Sequence, residues 1–130
     1  MPNAVLEYSN NLAREAQIPA LLDALGTRFR QGGDVFPVGG IRIRAIGYDD
    51  YVVGDGDAAN GFVVLTCKIA QGRSPETKKA FFDDVFEVLK AHFAALYARQ
   101  PLSISLYVEE IPEGTSYKHN NLHARLKSGA

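Results

Sequence analysis

The chain of 130 residues has little that could staple or anchor it: one cysteine, one methionine and no tryptophan. A single thiol cannot close an internal disulfide. Cys67, inside the apolar run FVVLTCKIA, therefore reads as a small buried hydrophobe. No apolar stretch approaches the ~18 residues of a membrane span. No basic region followed by an apolar one opens the chain, so neither a membrane anchor nor a secretory signal is expected, and a reducing cytoplasm is the expected compartment. An excess of one charge is missing too. Fourteen basic and fifteen acidic side chains leave a formal net charge of −1 with no long basic run, which gives nucleic acid or a membrane surface no electrostatic foothold. Familiar catalytic signatures are also absent: there is no G-x-S-x-G elbow, no phosphate-cradling glycine motif and no Cys–His pairing signal. GDGDAANG, residues 54–61, is glycine-rich but reads as a turn-rich connector. His119 and His123 are four apart and could share a helical face, but a third ligand is lacking, and His92 has no evident partner; no metal site is expected.

What is present is an ordinary globular balance, 46% apolar and 22% charged, in a length that makes one domain, residues 1–130, with one real core. The chain reads as one unit used twice. PNAVLEY is a short strand, and SNNLAREAQ a polar loop. Pro19 suits a first helical turn, and Leu21, Leu22, Leu25 and Phe29 recur at helical spacing until Gly32-Gly33. IRIRAIGYDDYVV follows as a second strand with partial alternation. After the connector, FVVLTCKIA reads as a central strand buried on both sides. Ser74 and Pro75 then start a helix that runs to about Arg99, with Phe82, Val85, Phe86, Leu89, Phe93 and Leu96 on its apolar face. LSISLYVEE is the fourth strand. The pseudo-repeats span about 2–53 and 61–110, and 111–130 is a tail. Two right-handed strand–helix–strand units side by side give an α/β (α+β) fold: a four-stranded mixed sheet with both helices on one face. Apolar positions on both sides of 62–70 imply that the other face is covered as well, which a second copy of the chain would do.

Few residues offer chemistry. Pro2 opens the first strand. Proline is tolerated there because a strand's first residue need not donate to the ladder; once Met1 is removed its nitrogen is also a free secondary amine. Arg42 and Arg44, two apart on a strand, project from one face, where they repel unless an anion or the carboxylates of Asp49 and Asp50 lie between them. Arg73 stands beside the helix start at Ser74, where backbone N–H groups already favour anions.

These pieces, in order, resemble the 5-carboxymethyl-2-hydroxymuconate isomerases of the tautomerase superfamily. The resemblance runs over nearly the whole chain: MP and a strand ending LEYSNN, then FPVGGIRIRA, LTCKIAQGRSPETKK, LKAHFAAL and YKHNNLHARLK. It implies the tautomerase fold and a homotrimer whose sheets enclose a central barrel-like core. It also implies Pro2 as catalytic base, Arg42 of GGIR and Arg73 of GRS as anion-binding residues, Arg44 as a further candidate, and no cofactor. The reaction implied is a proton shift that turns a dienol of aromatic degradation, a small carboxylate, into the conjugated ketone. Asn3-Ala4 departs from the family's opening by being smaller and more polar. Two alternatives stand beside this reading. One is another activity of the superfamily using the same proline: 2-oxo acid tautomerisation, dehalogenation or decarboxylation. The other is a non-catalytic oligomeric domain that binds small molecules through the arginines.

Overall fold

The structure, a computed structural model, describes residues 2–127; Met1, whose removal decides whether the Pro2 nitrogen is an amine, and residues 128–130 of the tail lie outside the described residues. Strand β1 (Asn3–Ser9) pairs in parallel with β2 (Arg42–Tyr48) and antiparallel with β3 (Gly61–Ala70), which pairs in parallel with β4 (Leu102–Ile111). The order is β2-β1-β3-β4. Each parallel pair belongs to one strand–helix–strand unit, and the antiparallel β1–β3 seam joins the two units, so the sheet is mixed, as expected.

The helices lie where the apolar spacing puts them. Helix α1 (Ile18–Gln31) has proline in its first turn and buries Leu21, Leu25 and Phe29. Helix α2 (Pro75–His92) starts on Ser74, whose side chain accepts a hydrogen bond from the Thr77 N–H at 3.1 Å. That satisfies one of the helix's orphan donors. The single helix expected to Arg99 is interrupted at Phe93, and α3 (Ala94–Arg99) follows it. At the break, the His92 ring nitrogen Nε2 meets the Ala16 carbonyl at 2.6 Å, a partner that no local sequence pattern announces, since 76 residues separate the two. Residues Asn10–Ala16, read as a loop, form 3-10 turns.

Both main helices cover one sheet face. Their buried side chains join Ala4, Leu6, Val63, Leu65, Cys67 and Ile69 in one core. An aromatic cluster closes its end, with Phe36 edge-on to Phe81 at 4.9 Å and Phe29 edge-on to Phe81 at 5.2 Å between centroids. Such pairs add about 0.5–1.5 kcal/mol beyond the area they bury. Cys67 is fully buried within this core, and the burial pushes its thiol up to about 12. The proton is thus held more tightly in the folded chain than in the unfolded one. This contribution to stability is complete below pH 9 and is lost as pH rises from 9 towards 12. At pH 8 the native thiol should resist a disulfide reagent such as Ellman's and react fully in denaturant. Native labelling as fast as unfolded labelling would refute its burial.

The opposite sheet face carries no helix. It presents Val5 and Val64, but also Glu7, Arg42, Arg44, Thr66, Lys68 and Glu109, because residues paired across strands share a face. Strand β3 is therefore apolar on both sides only over its first half, and becomes cationic towards its end.

Candidate active site

That cationic end adjoins the start of β1. Pro2 is buried there, and its carbonyl accepts a hydrogen bond from the Arg42 backbone N–H at 3.0 Å. The hydrogen bond ties the first residue of β2 directly to the proline. Asn3 lies between Arg42 on one side and Lys68 on the other in the strand register. The three side chains share the open face and line a cavity of about 200 Å³, together with Ile111, Tyr117 and Lys118. Neither Asp49 nor Asp50 neutralises the arginines: Asp49 accepts from the Asn10 amide at 2.7 Å, and no acidic side chain pairs with Arg42 or Arg44 among the described residues.

The three arginines differ in how they are held. Arg42 is exposed and its guanidinium has no hydrogen-bond partner among the described residues. Arg44 donates to the Asn3 side-chain oxygen, and so fixes a residue that lines the cavity. Arg73 is half-buried. Its Nε and Nη2 donate to the Val35 carbonyl at 2.8 and 2.6 Å, its Nη1 donates to Ala70 at 3.1 Å, and its guanidinium stacks 4.5 Å from the Phe36 ring centroid. Three of its five N–H donors are thus engaged and two remain for a ligand. Arg73 is not among the residues lining the cavity at Arg42; it stitches the loop before β2 to the end of β3.

The tail contributes more than the sequence suggested. After β4, the Glu113 N–H donates to Gln71, the Asn120 amide donates to the Gly39 carbonyl at 3.0 Å, and α4 (Leu122–Lys127) settles against the turn at Val38–Gly40. A Cβ at Gly39 would come within 2.6 Å of the His123 ring, so this glycine makes room for the helix. His119 precedes α4 and does not share a helical face with His123. The returning segment brings Tyr117 and Lys118 to the cavity. Lys68 was legible only as a strand residue, and Lys118 only as part of a tail; their signal was positive charge within LTCKIAQGRS and YKHNN. On the far side of the open face, the Tyr48 hydroxyl donates to the Glu7 carboxylate at 2.6 Å, which raises the phenol's pKa. Among the described residues, no group of three or more His, Cys, Asp and Glu side chains could hold a metal ion, and no helix is long and apolar enough to cross a membrane.

Two strand–helix–strand units in a mixed sheet, opened by a proline beside unpaired cations, define the tautomerase fold. A fused 4-OT wild type symmetric trimer shares it, with a TM-score of 0.64 over 89% of this chain and 92% of its own at 16% identity, a likeness of fold alone. Closer relatives narrow the class. The crystal structure of a 5-carboxymethyl-2-hydroxymuconate isomerase from Deinococcus radiodurans R1 has a TM-score of 0.92 and 41% identity, covering 96% of this chain and 93% of that one. The Escherichia coli 5-carboxymethyl-2-hydroxymuconate Delta-isomerase is 35% identical over 127 residues, 98% of this chain and 100% of the relative. Residues 2–126 match the model of the 5-carboxymethyl-2-hydroxymuconate isomerase family, and the chain belongs to that family.

Proposed function

We propose that the protein is a cofactor-independent isomerase that converts a 2-hydroxymuconate-type dienol into its conjugated ketone, with Pro2, freed of Met1, as the base. The observation that carries this reading is the junction of Pro2 with Arg42, beside a cavity ringed by cations that lack partners. The amine takes the enol hydroxyl proton. The electron pair moves into the conjugated system, and the ammonium returns the proton to a carbon further along, so atoms balance without a co-reactant. Neighbouring cations and a buried position disfavour a charged amine, which keeps the base free near neutral pH. Arg42 holds a substrate carboxylate by charge-assisted hydrogen bonds and stabilises the negative charge that develops on the dienolate. Arg73, with its two remaining donors, holds another carboxylate, and Arg44 acts through Asn3. The compound in the family's name bears three carboxylates, a muconate's two and the carboxymethyl's one, which suits a strongly cationic site.

The working unit in this proposal is a homotrimer in the cytoplasm, where a free thiol such as Cys67 persists. Support comes from the sheet face that no helix covers and from the trimeric assembly of the fused 4-OT protein. Light scattering at micromolar concentration should give three times the mass of the chain; a stable monomer would refute the trimer. The reaction itself is tested by following the ketone's absorbance with 5-carboxymethyl-2-hydroxymuconate and a panel of 2-oxo acids. Turnover of the former at the higher kcat/KM is expected. Turnover of other substrates alone would assign the chain a different activity on the same scaffold.

A further inference from the structure

Five cations of the described residues have acidic partners, among them Lys78 with Glu110 at 2.9 Å, Arg28 with Asp84 at 2.8 Å and Arg99 with Glu15 at 2.6 Å. The cavity at the end of the open face gathers cations that have none. Arg42, Lys68 and Lys118 all line it, and among the described residues none of the three side chains makes a hydrogen bond or an ion pair. An acid is at hand, since Glu109 lies beside Lys68 across the β3–β4 register, yet the two form no ion pair. Three like charges gathered around about 200 Å³ repel one another unless an anion of matching charge sits among them.

The fold holds the charges in place. Arg42 and Lys68 stand on β2 and β3 with Asn3 of β1 between them, two strand spacings or about 10 Å apart. Lys118 arrives from the other end of the chain, on the segment pinned at Gln71 and Gly39. One carboxylate would satisfy Arg42 alone and leave both lysines unpaired. We propose that Lys68 and Lys118 are specificity-determining residues that together bind the carboxylate of a tricarboxylate substrate that Arg42 and Arg73 leave unpaired, so that the site selects by charge number as well as by shape. The proposal rests on the isomerase reading for the identity of the substrate, but not for the existence of the anion site.

The test separates the two. Propane-1,2,3-tricarboxylate, which has no enol and cannot react, is titrated by calorimetry into the intact oligomer, with glutarate as the two-carboxylate control. Wild type should prefer the tricarboxylate. K68Q and K118Q should each weaken its binding about tenfold, the loss expected for one charged hydrogen bond, and should change glutarate binding much less. K68R and K118R should retain the preference. Both lysines lie outside the core of the single chain, and light scattering checks that each variant keeps the oligomeric state of wild type. Equal tricarboxylate binding by wild type and both Gln variants, or no preference over glutarate in wild type, would overturn the proposal. Tricarboxylate selectivity with no turnover of any dienol would support the anion site and overturn the isomerase reading.

Discussion

Protein whose Pro2 nitrogen is blocked, by a retained Met1 or by acylation, is expected to lose about 10²–10⁴-fold in kcat, the range typical of positioned general-base catalysis. The lone pair of an amide nitrogen is delocalised into its carbonyl and does not take a proton near neutral pH, so blocking removes the base without touching the arginines. Substrate binding should persist, and KM should move far less than kcat. Replacing Pro2 by alanine is a weaker blow. After methionine removal it leaves a primary amine near the same place, held by the same hydrogen bond from the Arg42 backbone to the first residue's carbonyl. Some activity should survive in that variant. Intact mass distinguishes the processed and blocked proteins, and stopped-flow kinetics gives the two constants separately. Activity in the blocked protein equal to that of the processed one would leave Pro2 as merely the first residue of a strand.

Arg42→Ala should lower kcat/KM by about ten- to a hundredfold or more, since each charge-assisted hydrogen bond contributes roughly 1.5–3 kcal/mol. It should do so with no loss of thermal stability. The Arg42 guanidinium has no partner among the described residues to forfeit, and removing it relieves repulsion from Lys68 and Lys118. Arg73→Ala should behave differently. It should lower kcat/KM as well, but it also unties the Val35 and Ala70 carbonyls and uncovers the Phe36 ring, so the melting temperature should fall with it. Lysine at 73 has no planar fork with which to bridge both carbonyls and should rescue little. Unchanged kinetics on a dicarboxylate in both alanine variants would remove the arginines from the site.

The contrast between these two arginines shows where sequence reading reaches its limit. The periodicities of Leu21, Leu25 and Phe29, and of Phe82, Val85 and Leu89, gave the helices, and Ser74-Pro75 gave a helix start, because those signals are local. The doubling of the strand–helix–strand unit followed from order alone, and the resemblance carried by MP, GGIR and GRS pointed to Pro2, Arg42 and Arg73 as candidates. The environment of each residue was hidden, because it is made by segments far apart in the chain. Arg73 meets a carbonyl 38 residues away, His92 one 76 residues away, and Asn120 one 81 residues away. The last of these turns an apparent tail into a wall of the cavity at Arg42. Lys68 and Lys118 escaped notice for the same reason. Each is an ordinary surface cation in sequence, and only the register of β1 with β3 and the return of the C-terminal segment bring them beside Arg42.

If the Pro2 amine is the base, its own titration must govern the reaction. Processed protein labelled with ¹⁵N-proline presents one secondary amine among its prolines, whose ¹⁵N shift reports protonation across the pH range. A pKa below the ~7.7–8.0 of an ordinary α-amino group is expected, because burial and the neighbouring cations disfavour the charged form. The value of kcat/KM should rise with pH along a limb of the same pKa, since only the free amine accepts the proton. An amine that titrates at or above the ordinary value, or a kcat/KM profile indifferent to its protonation, would contradict the assignment of Pro2 as the base.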